Sequence, residues 1–282
     1  MNKVKIIVDS TVDLSKELYE KFDMEVIPLG VNFDTENYKD GVTITPDEVY
    51  AKVKNGAPLP STAAVSPQIF EETARKYVEQ GYDVIYVGIG SKLSSAFQNY
   101  HIGTMDMKDH AFAIDSENLS SGSGLLAMKA AKLRDEGKSA KEIVELVQPL
   151  SKKVSAKFVL DTLDYMKKGG RCSAMAALFG HLLHIHPVLK TVEGKLIVEK
   201  KPRGPIRMGY KEMLEELKND LPNIDMDHIM ITHAGVNDDD LKYLKDEVSK
   251  LVDPNLIRVT RAGCVISSHC GYGTIGILYI KK

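Results

Sequence analysis

Short apolar runs alternate with amphipathic helical patterns through the first half of the chain. The apolar runs predict four strands, at residues 3–8, 24–29, 83–88 and 111–114. Between them, Thr45-Pro46 with Glu48 forms a capping-box signal, and Ser66-Pro67 predicts a second helix that runs to about Gly81. This alternation is typical of crossover units that build a mainly parallel sheet.

Two further serines predict helix starts. Ser94 stands where it would cap a third helix, and Ser139 with Glu142 forms a capping box before an amphipathic stretch that ends near residue 153. After residues 157–160 the alternation of apolar runs and helical patterns changes, and a short helix is expected to end at Gly169-Gly170. We therefore predict two α/β domains, at residues 1–153 and 154–282.

The second half predicts a mixed α/β layer. Residues 188–192 and 195–199, joined by Glu193-Gly194, have the pattern of a hairpin. Further strands are expected at residues 228–232, 255–260 and 274–280, with helices at 207–219 and 238–252. The sequence shows no internal repeat, and no long linker separates the two predicted domains. We therefore expect the domains to pack closely and to leave a cleft between them.

Composition and charge narrow the function classes. The 282 residues are 43% hydrophobic, and 37 Lys and Arg stand against 39 Asp and Glu, so neither a nucleic acid nor an anionic membrane is an expected partner. The N-terminal apolar stretch is too short for a secretory signal, and no run reaches the roughly 18 to 20 apolar residues of a membrane span. With three cysteines in a long chain, we expect reduced thiols and a cytoplasmic protein without stable membrane insertion.

Three glycine patterns resemble nucleotide-binding loops but lack the required context. The spaced glycines of residues 271–276 precede a strand pattern, whereas a dinucleotide fingerprint precedes a helix. Residues 122–127 open a helix, yet the stretch 115–121 separates them from the preceding strand. Residues 137–139 end like a phosphate loop but join two helices. We therefore predict no nucleotide cofactor, and a sensor that uses residues 122–127 remains an alternative.

Metal and hydrolase chemistry are also not indicated. The two groups of candidate ligands are His181, His184 and His186, and Cys264, His269 and Cys270. Neither group has a standard zinc spacing, so structural histidines and buried thiols are the simpler interpretation. The chain has no Gly-x-Ser-x-Gly elbow for a nucleophilic serine. We predict neither a metal nor a catalytic residue.

Eight sequence blocks, in a fixed order, cover nearly the whole chain. They are Ile7-Val8-Asp9-Ser10-Thr11; Pro60-Ser61-Thr62 with Ser66-Pro67 and Phe70; Ser91-Lys92-Leu93-Ser94 with Gln98; Asp115-Ser116 with Gly122 and Gly124; Lys168-Gly169-Gly170-Arg171; His186-Pro187-Val188-Leu189 with Glu193-Gly194; Lys201 with Arg203; and His269-Cys270-Gly271-Tyr272-Gly273. In order and spacing they resemble the DegV family, bacterial proteins of the FakB type that bind a fatty acid and present it to a separate kinase.

The resemblance implies a fold, a ligand and three ligand-binding residues. The fold would be the two-domain DegV-like (EDD) fold, with a mainly parallel N-terminal sheet and the ligand cleft between the domains. Thr62, Ser94 and His269 would hold the carboxylate of a long-chain fatty acid, and the acyl chain would enter an apolar tunnel. The sequence departs from the family at two points. The usual Thr-Ser-Gln-Pro reads Thr62-Ala63-Ala64-Val65, and the usual Leu-Ser-Gly-Thr reads Leu93-Ser94-Ser95-Ala96.

Each of these residues also has a plainer interpretation. Ser94 at a helix N-terminus suits an anion, but it would equally serve as an N-cap alone. Thr62 would be an ordinary loop hydroxyl, and His269 a core histidine. The apolar residues 174–179 would line an acyl tunnel or simply pack the core.

Two arginines are candidates for partner docking. Arg171 follows the Gly-Gly helix stop and Arg203 lies in a basic loop, so both are expected to be exposed. The resemblance implies that the Gly-Gly-Arg region docks the kinase catalytic subunit, and guanidinium groups suit an acidic partner surface. Surface solvation alone is the plainer interpretation.

The sequence thus predicts a carrier, not an enzyme. The fatty acid is its ligand, no cofactor is required, and the partner kinase would supply ATP and metal for acyl-phosphate formation in phospholipid metabolism. The alternative is an acyl-transfer enzyme in which His269 activates Ser94. The length and unsaturation of the acyl chain do not follow from the sequence.

Overall fold

The computed structural model describes residues 2–173 and 185–282. Its strands are β1 Lys3–Asp9, β2 Met24–Ile27, β3 Gly30–Phe33, β4 Glu36–Lys39, β5 Ser61–Ala63, β6 Tyr82–Val87, β7 Ala111–Ile114, β8 Val154–Val159, β9 Val188–Val192, β10 Lys195–Lys200, β11 Ile229–His233, β12 Ile257–Arg261 and β13 Ile275–Ile280. Its helices are α1 Lys16–Lys21, α2 Pro46–Lys54, α3 Pro67–Val78, α4 Ala96–Gly103, α5 Ser121–Asp135, α6 Ala140–Val147, α7 Asp164–Gly169, α8 Arg207–Asp220, α9 Asp238–Ser249 and α10 Cys264–Cys270.

The first half is built on a four-stranded parallel sheet in the order β2-β1-β6-β7. Strand β1 is buried along all but its first residue, because helices cover both faces of a parallel sheet. Its register pairs Ile6 with Met24 on one side and with Ile85 on the other. The parallel layer predicted from the alternating pattern is confirmed.

The second half carries a six-stranded mixed sheet in the order β10-β9-β8-β13-β11-β12. Among these strands β11 and β12 pair in parallel, and the other neighbours are antiparallel. The predicted hairpin is β9-β10, and Glu193 and Gly194 at its turn have φ values of 48° and 76°. Two consecutive positive φ values suit a tight hairpin turn between twisted strands. The α/β fold class is confirmed in both halves.

A small antiparallel sheet, β4-β3-β5, was not predicted from the sequence. Strand β4 exposes Glu36, Asn37 and Lys39, and β5 is only three residues long, so neither gives a readable apolar pattern. Thr62 lies in β5 and pairs with Val31 of β3. This sheet therefore fixes the position of one predicted ligand-binding residue.

The start of α4 differs from the prediction. Ser95, not Ser94, is the N-cap residue, and its side chain makes no capping bond. The chain turns earlier than expected, since the N–H groups of Leu93 and Ser94 both donate to the carbonyl oxygen of Gly90. The predicted capping boxes of α2 and α6 and the Ser66 cap of α3 are confirmed.

The two halves share their hydrophobic cores. One cluster joins Ile7 and Phe70 of the first half to Leu160 and Leu189 of the second. Every strand of the two smaller sheets precedes Lys153, and every strand of the six-stranded sheet follows it. A boundary near Lys153 agrees with this division and stays a prediction. No helix within residues 2–173 and 185–282 is long and apolar enough to cross a bilayer.

Candidate functional site

A cavity of about 200 Å³ lies between elements of the two halves. Its polar lining residues are Thr62, Ser94, Ser95, Arg171 and His269. Its apolar lining residues are Leu29, Ala64, Ile89, Leu93, Leu119, Met166, Leu196, Val265, Ile266 and Cys270. The structure therefore brings Thr62, Ser94 and His269 together around one space, although they lie far apart in the chain.

Thr62 and His269 are joined directly across this cavity. The Oγ1 atom of Thr62 lies 2.8 Å from the Nε2 atom of His269, so a strand of the small sheet is tied to the last turn of α10. The other ring nitrogen, Nδ1, is buried and has no hydrogen-bond partner among the described residues. A proton on Nδ1 would be an unpaired buried donor, which favours the tautomer with the proton on Nε2.

Burial keeps the His269 ring neutral. Its pKa is lowered to about 4, mainly by the loss of solvent and to a smaller extent by the positive charge of Arg171. At neutral pH the ring can therefore donate from Nε2 to Thr62 Oγ1. The Thr62 hydroxyl proton is then free to point into the cavity.

Gly169 gives the His269 ring its room. A Cβ atom placed on Gly169, at the end of α7, would lie 2.2 Å from His269 Nδ1. No ordinary contact between heavy atoms is that short, so any side chain at residue 169 must displace the ring. The sequence pattern identified Gly169 only as a helix stop and gave no signal of this contact.

Ser94 lines the same cavity just before α4. Its Oγ atom accepts the backbone N–H of Ala96 at 3.2 Å, which leaves the hydroxyl proton without a described acceptor. A serine hydroxyl can accept and donate at the same time, so this bond does not prevent donation to a ligand. Ser94 is therefore not the N-cap residue of α4, but its bond to Ala96 at the start of the helix is compatible with anion binding.

No hydrogen bond links Ser94 to His269 among the described residues, because the Nε2 atom faces Thr62. A serine nucleophile requires a base within hydrogen-bonding distance. The observed pairing therefore does not favour acyl transfer. The thiol of Cys270 in the cavity wall is also unsuited to attack, since burial raises its pKa to about 12.

Arg171 is in contact with both the solvent and the cavity. It is exposed, its Nη1 atom donates to the carbonyl oxygen of Gly169 at 2.7 Å, and it also lines the cavity. Arg203 is also exposed, but it does not line the cavity. The predicted exposure is confirmed for both arginines. The position of Arg171 beside the cavity was not predicted.

The residues that depart from the family pattern lie close to the cavity. Ala64 and Ser95 line it, Ala63 is exposed in β5, and Val65 and Ala96 are buried. Ser95 thus adds a hydroxyl at the cavity, whereas Ala64 contributes an apolar surface. The predicted apolar helix of residues 174–179, with His181 and His184, lies outside the described residues.

A second, smaller apolar space adjoins the first. It has a volume of about 30 Å³ and shares Leu119, Ile266 and Cys270 with the cavity wall. Its other lining residues include Ala156, Phe158 and Leu278 of the six-stranded sheet. Apolar surface thus continues from the cavity into the interior of the second half.

The rejected glycine pattern of residues 271–276 lies in the turn between α10 and β13 and leads into a strand, as predicted. The thiol of Cys264 donates to the carbonyl oxygen of Ile44 at 3.2 Å. Burial raises the pKa of that thiol. Cys264 is therefore a packed residue on the far end of α10 from His269.

Comparison with known proteins agrees with this architecture. The model of the DegV family, whose description reads "Uncharacterised protein, DegV family", matches residues 3–282. A DegV domain-containing protein of Clostridium perfringens is 32% identical, with full coverage of both chains.

Two solved structures are similar over almost their entire length. A fatty-acid-binding DegV family protein from Thermus thermophilus has a TM-score of 0.92 and 29% identity, with 100% of each chain covered. A stearic-acid-binding protein from Eubacterium ventriosum has a TM-score of 0.85 and 26% identity, with 100% of this chain and 99% of that chain covered.

Proposed function

The chain belongs to the DegV family, and on that premise we propose that it is a carrier that binds a long-chain fatty acid. The observation that carries the proposal is that the hydroxyls of Thr62 and Ser94 and the neutral imidazole of His269 line a cavity whose other lining residues are mostly apolar. An amphiphile with a small polar head fits such a lining, because its head would contact the polar side chains and its tail the apolar ones. The fatty-acid ligands of the Thermus and Eubacterium relatives support the same class.

The carboxylate would be held by hydroxyl protons. Nε2 of His269 donates to Thr62, which directs the Thr62 proton towards the cavity, and Ser94 supplies a second proton. The neutral ring contributes by orienting Thr62, and Arg171 at the cavity wall adds a positive charge. A buried carboxylate requires such partners, because an unpaired buried charge is strongly unfavourable.

Organic extraction followed by mass spectrometry tests the ligand class. The purified protein is expected to release close to one equivalent of a long-chain fatty acid. A nucleotide in the extract would instead support a sensor. A protein that neither retains nor takes up fatty acid when it is supplied would contradict the proposal.

We also propose that the loaded protein presents its carboxylate to a fatty acid kinase. The kinase would form an acyl phosphate with its own ATP and metal, and this chain would contribute only the positioned substrate. Arg171 and Arg203 are both exposed and supply positive charge for an acidic partner surface. The family resemblance and these charges support this finer assignment.

The charge reversal Arg203→Glu is expected to leave fatty-acid content unchanged and to weaken kinase coupling. Arg203 lies away from the cavity, and a charge at the rim of an interface acts on association. Arg171→Glu serves as the contrasting variant. Because Arg171 lines the cavity, its reversal is expected to weaken both kinase coupling and fatty-acid affinity.

Kinase turnover against carrier concentration and fatty-acid affinity would be measured for both variants. Unimpaired kinase coupling in Arg203→Glu would remove Arg203 from the docking surface. Unchanged fatty-acid affinity in Arg171→Glu would restrict Arg171 to docking.

A further inference from the structure

We infer that Asp40 is a positioning residue that holds His269 opposite Thr62. The inference rests on the proposed fatty-acid site, and it concerns a residue that does not line the cavity. Asp40 is only 3% exposed, and it lies where three separate parts of the chain meet.

The first part is the N-terminus of α10, the helix that carries His269. Asp40 Oδ1 accepts the N–H of Cys264 at 2.6 Å, and Oδ2 accepts the N–H of Val265 at 3.3 Å. The residue before the helix is Gly263, which has no side chain with which to cap it. Asp40 therefore supplies from the first half the capping that the helix lacks locally.

The second part is the small sheet that carries Thr62. Asp40 directly follows β4, and its own N–H donates to the carbonyl oxygen of Leu29, just before β3. Strand β3 lies between β4 and β5, and β5 contains Thr62. One side chain thus connects the sheet that presents Thr62 to the helix that presents His269.

The third part is the loop after β1. The hydroxyl of Ser10 donates to Asp40 Oδ2 at 2.9 Å and accepts the N–H of Leu29 at 3.1 Å. A neighbouring carboxyl group, that of Asp13, accepts the N–H of Gly263 at 2.7 Å. A Cβ atom on Gly263 would lie 3.0 Å from Asp40 Oδ2, so a glycine here permits the close approach of the carboxylate.

The charge of Asp40 is part of this arrangement. Its two oxygens accept three hydrogen bonds that can be assigned to described donors. Charge-assisted bonds of this kind are stronger than neutral ones, and an amide would present one oxygen and two protons to the same donors. Asp40→Asn keeps the volume of the side chain but leaves at least one donor without an acceptor.

The test is a double-mutant cycle on fatty-acid affinity, with oleate as the titrated probe. Asp40→Asn alone is expected to weaken binding by about 3-fold to 30-fold, which lies within the range of coupling between residues in one network. In a His269→Ala background the same change is expected to cost less than about 2-fold, because the residue that Asp40 positions is gone. In a Ser94→Ala background the full loss is expected, since the bonds of Asp40 run to α10 and the loop after β1 rather than to Ser94.

Ser139→Ala is the control for general destabilisation, because it removes the cap of α6 away from the cavity. It is expected to lower stability without a change in affinity. If Asp40→Asn does not yield folded protein, Ser10→Ala removes one donor to Asp40 and is expected to show a smaller loss with the same dependence on His269.

A loss in Asp40→Asn that persists in full without His269 would overturn the inference, and so would unchanged affinity. Failure of the fatty-acid site itself has a different signature. In that case Ser94→Ala and His269→Ala would also bind oleate as the unmodified protein does.

Discussion

Replacing Ser94 with alanine is expected to weaken fatty-acid binding by about 10-fold to 150-fold, since a hydrogen bond to a charged group contributes roughly 1.5 to 3 kcal/mol. The acyl chain still stabilises the complex by about 0.8 kcal/mol for each buried CH₂, so lipid is expected to co-purify with the variant. Transfer should fall further than occupancy, because a displaced carboxylate is poorly aligned with the phosphate of the partner. Titration of affinity and an acyl-phosphate assay with the kinase measure the two effects.

Ser66→Ala is the matched control for Ser94→Ala. Both serines accept a backbone N–H near the start of a helix, at 3.4 Å for Ser66 and 3.2 Å for Ser94, but only Ser94 lines the cavity. Ser66→Ala is expected to cost about 1 kcal/mol of stability and to leave affinity unchanged. Full phosphorylation at unchanged affinity in Ser94→Ala would mean that Ser94 serves the helix alone.

Replacing Gly169 with alanine is expected to weaken binding as much as the loss of His269 does. The new Cβ atom would lie 2.2 Å from Nδ1, so the ring must move and its bond to Thr62 must break. The Thr62 proton then loses its fixed direction. We expect a loss of affinity of about 10-fold to 150-fold and a stability cost of about 1 to 3 kcal/mol from overpacking.

The neighbouring Gly170→Ala separates this contact from backbone effects. Gly170 has a φ of 65°, and a Cβ atom added there would meet nothing within 4 Å, so alanine costs only about 1 to 2 kcal/mol of backbone strain. Its affinity is expected to match that of the unmodified protein. Equal affinity losses in the two variants would assign the effect to the Gly-Gly turn rather than to the His269 ring.

Long, periodic segments of the fold were predictable from the sequence. The parallel strands, the β9-β10 hairpin and helices α2, α3 and α6 follow local rules of burial, turn conformation and capping. The small sheet and α10 escaped prediction. Strand β4 is polar, and α10 starts after a glycine and takes its capping groups from residues more than 200 positions earlier.

The candidate site likewise contains residues that the sequence indicated and residues that it did not. The DegV resemblance supplied Thr62, Ser94 and His269, while the residues alone left each of them with a plainer role. Gly169 and Asp40 escaped because their effects depend on tertiary contacts, a ring against a backbone and a carboxylate against a distant helix. Neither contact changes the local sequence pattern from which such roles are predicted.

The cavity wall draws residues from both halves, with Thr62 and Ser94 on one side and Met166 and His269 on the other. A molecule bound there touches both halves at once and has no counterpart site in the unfolded chain. By mass action, a ligand present at 100 times its dissociation constant adds about 2.7 kcal/mol to the free energy of unfolding. That increment is a sizeable share of the roughly 5 to 15 kcal/mol that separates native from unfolded domains. A bound fatty acid would thus also stabilise the fold, and its release would lower the free energy of unfolding of the protein.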